Sequence, residues 1–130
     1  MQIAFMIGRI IFGGFWLMAG IHHFKDLNVM SGYARAKGTP APKLAVGATG
    51  VLLLLGGLSI LLGVYTTVGI LLLIIFLLGV SFQMHNFWKA ADPQMKQFEM
   101  INFQKNMALL GASLMLLLVP QPWPMSLGIH

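Results

Sequence analysis

Four apolar runs, at residues 3–21, 44–62, 68–84 and 103–119, occupy most of this chain. Each is long enough to cross a hydrocarbon core of about 30 Å as a helix rising about 1.5 Å per residue. No other feature constrains the fold as tightly, because a chain in lipid must satisfy its backbone polar groups internally, and an apolar run of this length does so as a helix. Only 8% of the side chains are charged and 58% are hydrophobic, whereas soluble chains carry roughly 25% charged residues. The expected fold is therefore an all-α membrane protein. It is a single domain over residues 1–130, a four-transmembrane-helix bundle with short interfacial helices in the two longer connections.

The first run holds Arg9, and no basic residue precedes the run, which argues against a cleaved signal peptide. An arginine within a span costs about 2.5–3.5 kcal/mol on insertion scales. It either snorkels to the nearer face or turns inward to a buried acceptor or an anionic ligand. Gly8, Gly13, Gly14 and Gly20, and in the second run Gly50, Gly56, Gly57 and Gly63, leave room for close helix contact.

The connection after the first run predicts a short amphipathic helix from an Asp26 N-cap to Lys37, stopped by Gly38, Pro40 and Pro42. A second surface helix is expected between Asp92 and Asn102, where Met95, Phe98 and Ile101 recur every three residues and Lys96 and Glu99 are spaced to pair. Pro120, Pro122 and Pro124 end the last helix, and Trp88 and Trp123 suit the two headgroup belts.

Lys25, Arg35, Lys37, Lys43, Lys89, Lys96 and Lys105 all fall in or beside the two longer connections, against Arg9 alone near the opposite side. That asymmetry places both connections in the cytoplasm and both termini outside, in a bacterial inner membrane. It also accounts for the net charge of +5 without nucleic acid, because the basic residues flank spans and form no soluble patch. The partners expected are the lipid bilayer and other membrane subunits, or further copies of the chain.

No cysteine is present, which removes disulfides, thiolate metal sites and dithiol relays. His22, His23 and His85 end their helices on one side, with Glu99 near them in sequence depth. No tight ligand motif accompanies them, so neither a metal nor a haem is expected. A histidine donating to a quinone carbonyl suits the pattern better, imidazole being able to move a proton near neutrality. Lys105 and Asn106 open the last span, Lys105 either reaching for water or pairing with Glu99 or Asp92. The candidate ligand-binding residues are thus Arg9, His22, His23, His85, Glu99, Lys105 and Asn106.

The segments GRIIFGGFWLMAGIHHF, KGTPAP, GGLSILLGVYT, MHNFW and FQKNMALLGASLML, in this order and spacing, resemble the DoxX family of small bacterial membrane proteins. The resemblance implies a four-helix bundle associated with oxidoreductase systems. It also exposes a departure: Leu53 stands where many relatives carry a glutamate, so Arg9 needs another partner, such as a lipid, a quinone or a neighbouring subunit. The function expected is an accessory or anchoring subunit of a quinone-linked redox system, not catalytic on its own. The alternative is a purely structural subunit of a larger membrane complex.

Overall fold

The computed structural model describes residues 2–129. The chain forms α1 (Gln2–Lys25), α2 (Leu27–Ala36), α3 (Pro42–Leu62), α4 (Thr66–Gln83) and α5 (Pro93–Leu116), with a 3₁₀ turn at Phe87–Lys89 and no strand among the described residues. Three segments are long and apolar enough to cross a membrane: α1, α3, and the stretch from Thr66 to Lys89 that contains α4. Their outer faces expose Ile3, Ile10, Leu55, Leu71 and Ile75, which in water would form an adhesive surface and in lipid meet like with like.

α5 differs from expectation in extent and composition. The segments expected to be a surface helix and a separate last span form one continuous helix, because nothing between Gln94 and Leu110 can break it. Asp92 caps it through a 3.0 Å bond from the Met95 amide, and Pro93 occupies its first turn. Lys96, Glu99 and Lys105 dilute its first half, so α5 lacks the apolar composition of the other three. Asp26, by contrast, starts α2 without capping it; its carboxylate lies 3.7 Å from His22 instead.

Lipid offers apolar helices no hydrophobic reason to associate, so close packing must hold them. In the antiparallel pair α1–α3, Gly13 faces Gly57 and Gly20 faces Gly50. A Cβ added at Gly57 would lie 2.9 Å from the Leu17 backbone nitrogen and 3.0 Å from the Gly13 carbonyl oxygen. One added at Gly20 would lie 3.1 Å from the Gly50 carbonyl oxygen. α4 joins the other side of α3, where a Cβ at Gly56 would meet Leu73 at 2.7 Å. Gly8 and Gly14 take no part, having nothing within 4 Å of an added Cβ. Leu53, Ile60, Ile70, Leu73 and Leu77 fill the core these three helices enclose.

α5 packs on α4 alone among the long helices, and no Cα of α5 approaches one of α1 within 8 Å among the described residues. Its only buried residues are Glu99, Asn106 and Ser113, seven apart, while Phe98, Ile101, Leu114 and Met115 are exposed. A polar stripe thus faces in on this helix, while its outer surface is mixed in its first half, with Lys96 and Lys105 beside Phe98 and Ile101, and apolar toward Leu114 and Met115.

Trp123 does not project outward from the bundle. The tail folds back beneath the bundle and buries Trp123 to 2% exposure, edge-on to Phe5, while Trp88 at the opposite end stays half-exposed. Bonds from the Leu127 amide to the Leu62 carbonyl and from the Tyr65 amide to the Ile129 carbonyl fix the tail to the α3–α4 turn.

Gly57→Ala is expected to force α1 and α3 apart and cost about 1–3 kcal/mol of stability, whereas Gly14→Ala is expected to be neutral. Thermal unfolding of both variants in the same detergent checks the contrast.

Candidate functional site

Two buried charges mark opposite ends of the bundle. At the end with the chain termini, Arg9 turns inward and is 3% exposed. Its Nε donates to the Ile60 carbonyl at 3.1 Å and one terminal nitrogen to the Leu61 carbonyl at 2.8 Å. The other terminal nitrogen donates to the carbonyls of Pro124 at 2.7 Å and Met125 at 3.2 Å. Ile60 and Leu61 lie in the last turn of α3, where unpaired carbonyls and the negative helix end attract a cation. The Trp123 ring lies 5.6 Å from the guanidinium carbon. Main-chain oxygens therefore serve as Arg9's partners, and Leu53 is fully buried in the core.

At the other end Glu99 is fully buried on α5. It accepts from the Lys37 ammonium at 2.6 Å and the Tyr33 hydroxyl at 2.8 Å, with His85 Nδ1 at 3.4 Å. The expected Lys96 partnership is absent, because Lys96 lies on the exposed face of α5. Lys105 pairs with neither Glu99 nor Asp92. Its ammonium sits 5.9 Å from the centre of the Phe15 ring, bridging α5 toward α1. Burial, reinforced by the bond to Glu99 and its charge, drives the Tyr33 phenol well above its ordinary value.

Beside this cluster lies a cavity of about 740 Å³ in the seam between α1 and α5. Its walls are largely apolar, from Trp16 and Ala19 on α1, Val46 and Leu52 on α3, and Ile75 and Phe76 on α4. Met30 and Tyr33 on α2 contribute too. Four sequence candidates line it: His23, His85, Lys105 and Asn106. Glu99 sits behind His85 and Tyr33. His22 points elsewhere, half-exposed beside Asp26, and Arg9 is at the far end.

The polar lining is partly unsatisfied. His23 is buried, and its Nδ1 lies 2.8 Å from the Ala19 carbonyl, an acceptor only, so Nδ1 carries the proton. In the neutral ring Nε2 is then a free acceptor. Asn106 is 5% exposed and its amide bonds to nothing else in the protein among the described residues. Such a cavity, apolar with a few converging polar groups, can hold a lipophilic ring and orient its substituents. Among the described residues no His, Asp and Glu side chains group in threes as a metal site.

Tyr33 and Lys37 were not singled out from the sequence, where they read only as two sides of an amphipathic helix. Their i,i+4 spacing aims both at one point, and the seven-residue recurrence of Glu99, Asn106 and Ser113 signals an inward polar stripe.

Glu99→Gln leaves the Lys37 ammonium without a counter-charge and is expected to cost about 3 kcal/mol. Melting curves of the native chain and the variant in the same detergent check this. Arg9→Ala strands carbonyls on two segments and is expected to cost at least about 3 kcal/mol; Arg9→Lys recovers part, since one ammonium cannot match the planar fork. Protease cleavage in the freed tail, followed by mass, checks this.

A family model described as DoxX matches residues 4–86, more than half of the chain and including Arg9, His22, His23 and His85. No curated protein and no solved structure matches. The matched stretch covers α1 to α4 with the apolar helices described above, and this chain is a membrane protein that belongs to the DoxX family.

Proposed function

We propose that this chain is a four-span accessory or anchoring subunit of a quinone-linked redox system in a bacterial inner membrane, and that the cavity between α1 and α5 receives the quinone-class ligand. The observation carrying this reading is the cavity itself, with its apolar walls and its polar groups gathered on His23, His85, Lys105 and Asn106.

α5 serves as the fourth span in this reading. Its exposed Ile101 and Leu114 face lipid, and its polar stripe is sheltered by α4 and the cavity. The bundle end that carries Lys25, Arg35, Lys37, Lys43, Lys89, Lys96 and Lys105 faces the cytoplasm, which leaves both termini outside.

The residues fit the ligand class. Trp16 and Phe76 offer flat apolar faces for a ring, and the absence of backbone contact between α1 and α5 gives an isoprenoid chain a lateral way to lipid. A bound quinone supplies two-electron, two-proton exchange. The chain's own residues bind and orient it, keep water from its ring, and connect it through His85 to the buried Glu99 cluster. With no thiol in the chain, electrons come from a partner protein, which is the sense of an accessory role.

A second reading is supported by the other half of the same seam, a hollow of about 430 Å³ lined by Phe5, Phe12, Ala112 and Met115 that carries little polarity. It suits a packing surface of a purely structural subunit. Solvent extraction and mass spectrometry of the gently purified protein separate the two: quinone near one per chain is expected. Quinone-free protein held tightly in a complex of other chains would leave only the structural subunit.

A further inference from the structure

We infer that the cavity selects the reduced, hydroxyl-bearing form of its ligand, a lipophilic quinol, with His23 Nε2 as the hydrogen-bond acceptor and Asn106 as the second contact. This deepens the quinone-binding reading and rests on it.

The selectivity follows from one main-chain bond. His23 Nδ1 must carry its proton to reach the Ala19 carbonyl, four residues earlier on the same helix. The neutral imidazole has only one proton to place, so Nε2 presents a lone pair. A quinone carbonyl is also an acceptor and would face that lone pair without a proton between them. A quinol hydroxyl donates into it. The histidine read from sequence as a donor to a carbonyl therefore has the opposite polarity in the fold.

The ring cannot simply turn over to reverse the arrangement. His23 is 8% exposed and packed edge-on against Phe76 at 5.9 Å between ring centres, and its Cβ lies against α3 at Gly50. A flip would set Cδ2 against the Ala19 carbonyl and forfeit the side-chain bond, and the other tautomer would set a lone pair against it.

Asn106 complements it. The residue is 5% exposed, lines the same cavity, and its carboxamide has no hydrogen-bond partner among the described residues. An amide both donates and accepts, so it can bond a hydroxyl or a carbonyl and holds either form. The other donors of the lining, the unpartnered Trp16 indole N–H and the Lys105 ammonium, can donate to a carbonyl or to a hydroxyl oxygen alike, so discrimination between the two forms belongs to His23 and general affinity to Asn106 and these donors.

The test uses the full chain in lipid nanodiscs and three probes: decylubiquinol kept reduced under anaerobic conditions, decylubiquinone, and the dimethyl ether of decylubiquinol. Binding is read by quenching of tryptophan fluorescence, since Trp16 lines the cavity. One neutral hydrogen bond predicts that the quinol binds on the order of fivefold more tightly than the quinone or the ether. His23→Phe keeps an aromatic ring against Phe76 and should erase the preference by weakening the quinol more than the quinone; Asn106→Leu should weaken both forms.

A quinone or ether that binds as tightly as the quinol, in the native chain, overturns the inference and leaves the quinone-binding function standing. So does a preference that survives in His23→Phe. Failure of all three probes to bind, with only phospholipid retained, removes both the inference and that function. The native-chain comparison decides the matter even where a variant does not fold.

Discussion

Backbone-to-backbone contact between α1 and α3 is the constraint on which the rest of this molecule depends. In lipid, apolar side chains gain nothing by leaving one hydrocarbon environment for another, so close van der Waals approach has to supply the cohesion. The facing pairs Gly13–Gly57 and Gly20–Gly50 supply it, at separations that no side chain could occupy. α4 adds itself through Gly56 and Gly69, and a Cβ at Gly69 would overlap the Ser59 hydroxyl. Three helices so joined leave no equivalent glycine surface for α5. The seam between α1 and α5 is therefore a result of where the small residues are, and the cavity is that seam's wider half.

With tight packing confined to one side, polar side chains hold the other. No Cα of α2 comes within 8 Å of one in α5 among the described residues, yet Tyr33 and Lys37 reach across to Glu99. Long side chains converging on one carboxylate tie the roof of the cavity to its far wall. The bundle thus uses two different solutions for a charge near hydrocarbon. Arg9 is neutralised by the dipoles of main-chain carbonyls, whereas Glu99 is neutralised by a cation and hydroxyl brought from another helix. Both solutions satisfy the buried group with several partners, which is the condition under which such groups persist.

Much of this was legible in the sequence, and the failures have physical causes. Apolar run length gave α1, α3 and α4, because in lipid that property alone decides what becomes a helix. It misread α5, where a surface helix and a span were separated at a point that has no glycine or proline to separate them. Asp26 and Trp123 were assigned by local preference, and tertiary geometry overrode both: His22 drew the carboxylate away, and the returning tail enclosed the indole. The candidate residues were chosen by type and depth, and four of them share a cavity. What no local pattern could give was partnership across the chain. Glu99 meets Lys37 over a separation of 62 residues, and nearest-neighbour spacing had pointed to Lys96.

The embrace of Arg9 by the returning tail has a consequence for biosynthesis. Two of the oxygens that receive its guanidinium belong to Pro124 and Met125, separated from it by 115 and 116 residues. While the chain is being made, the first helix enters the membrane long before those oxygens exist. Even the α3 carbonyls follow by about fifty positions. The nascent segment must meanwhile keep its cation hydrated or otherwise paired, and the full set of main-chain acceptors exists only once residues 124 and 125 have been added.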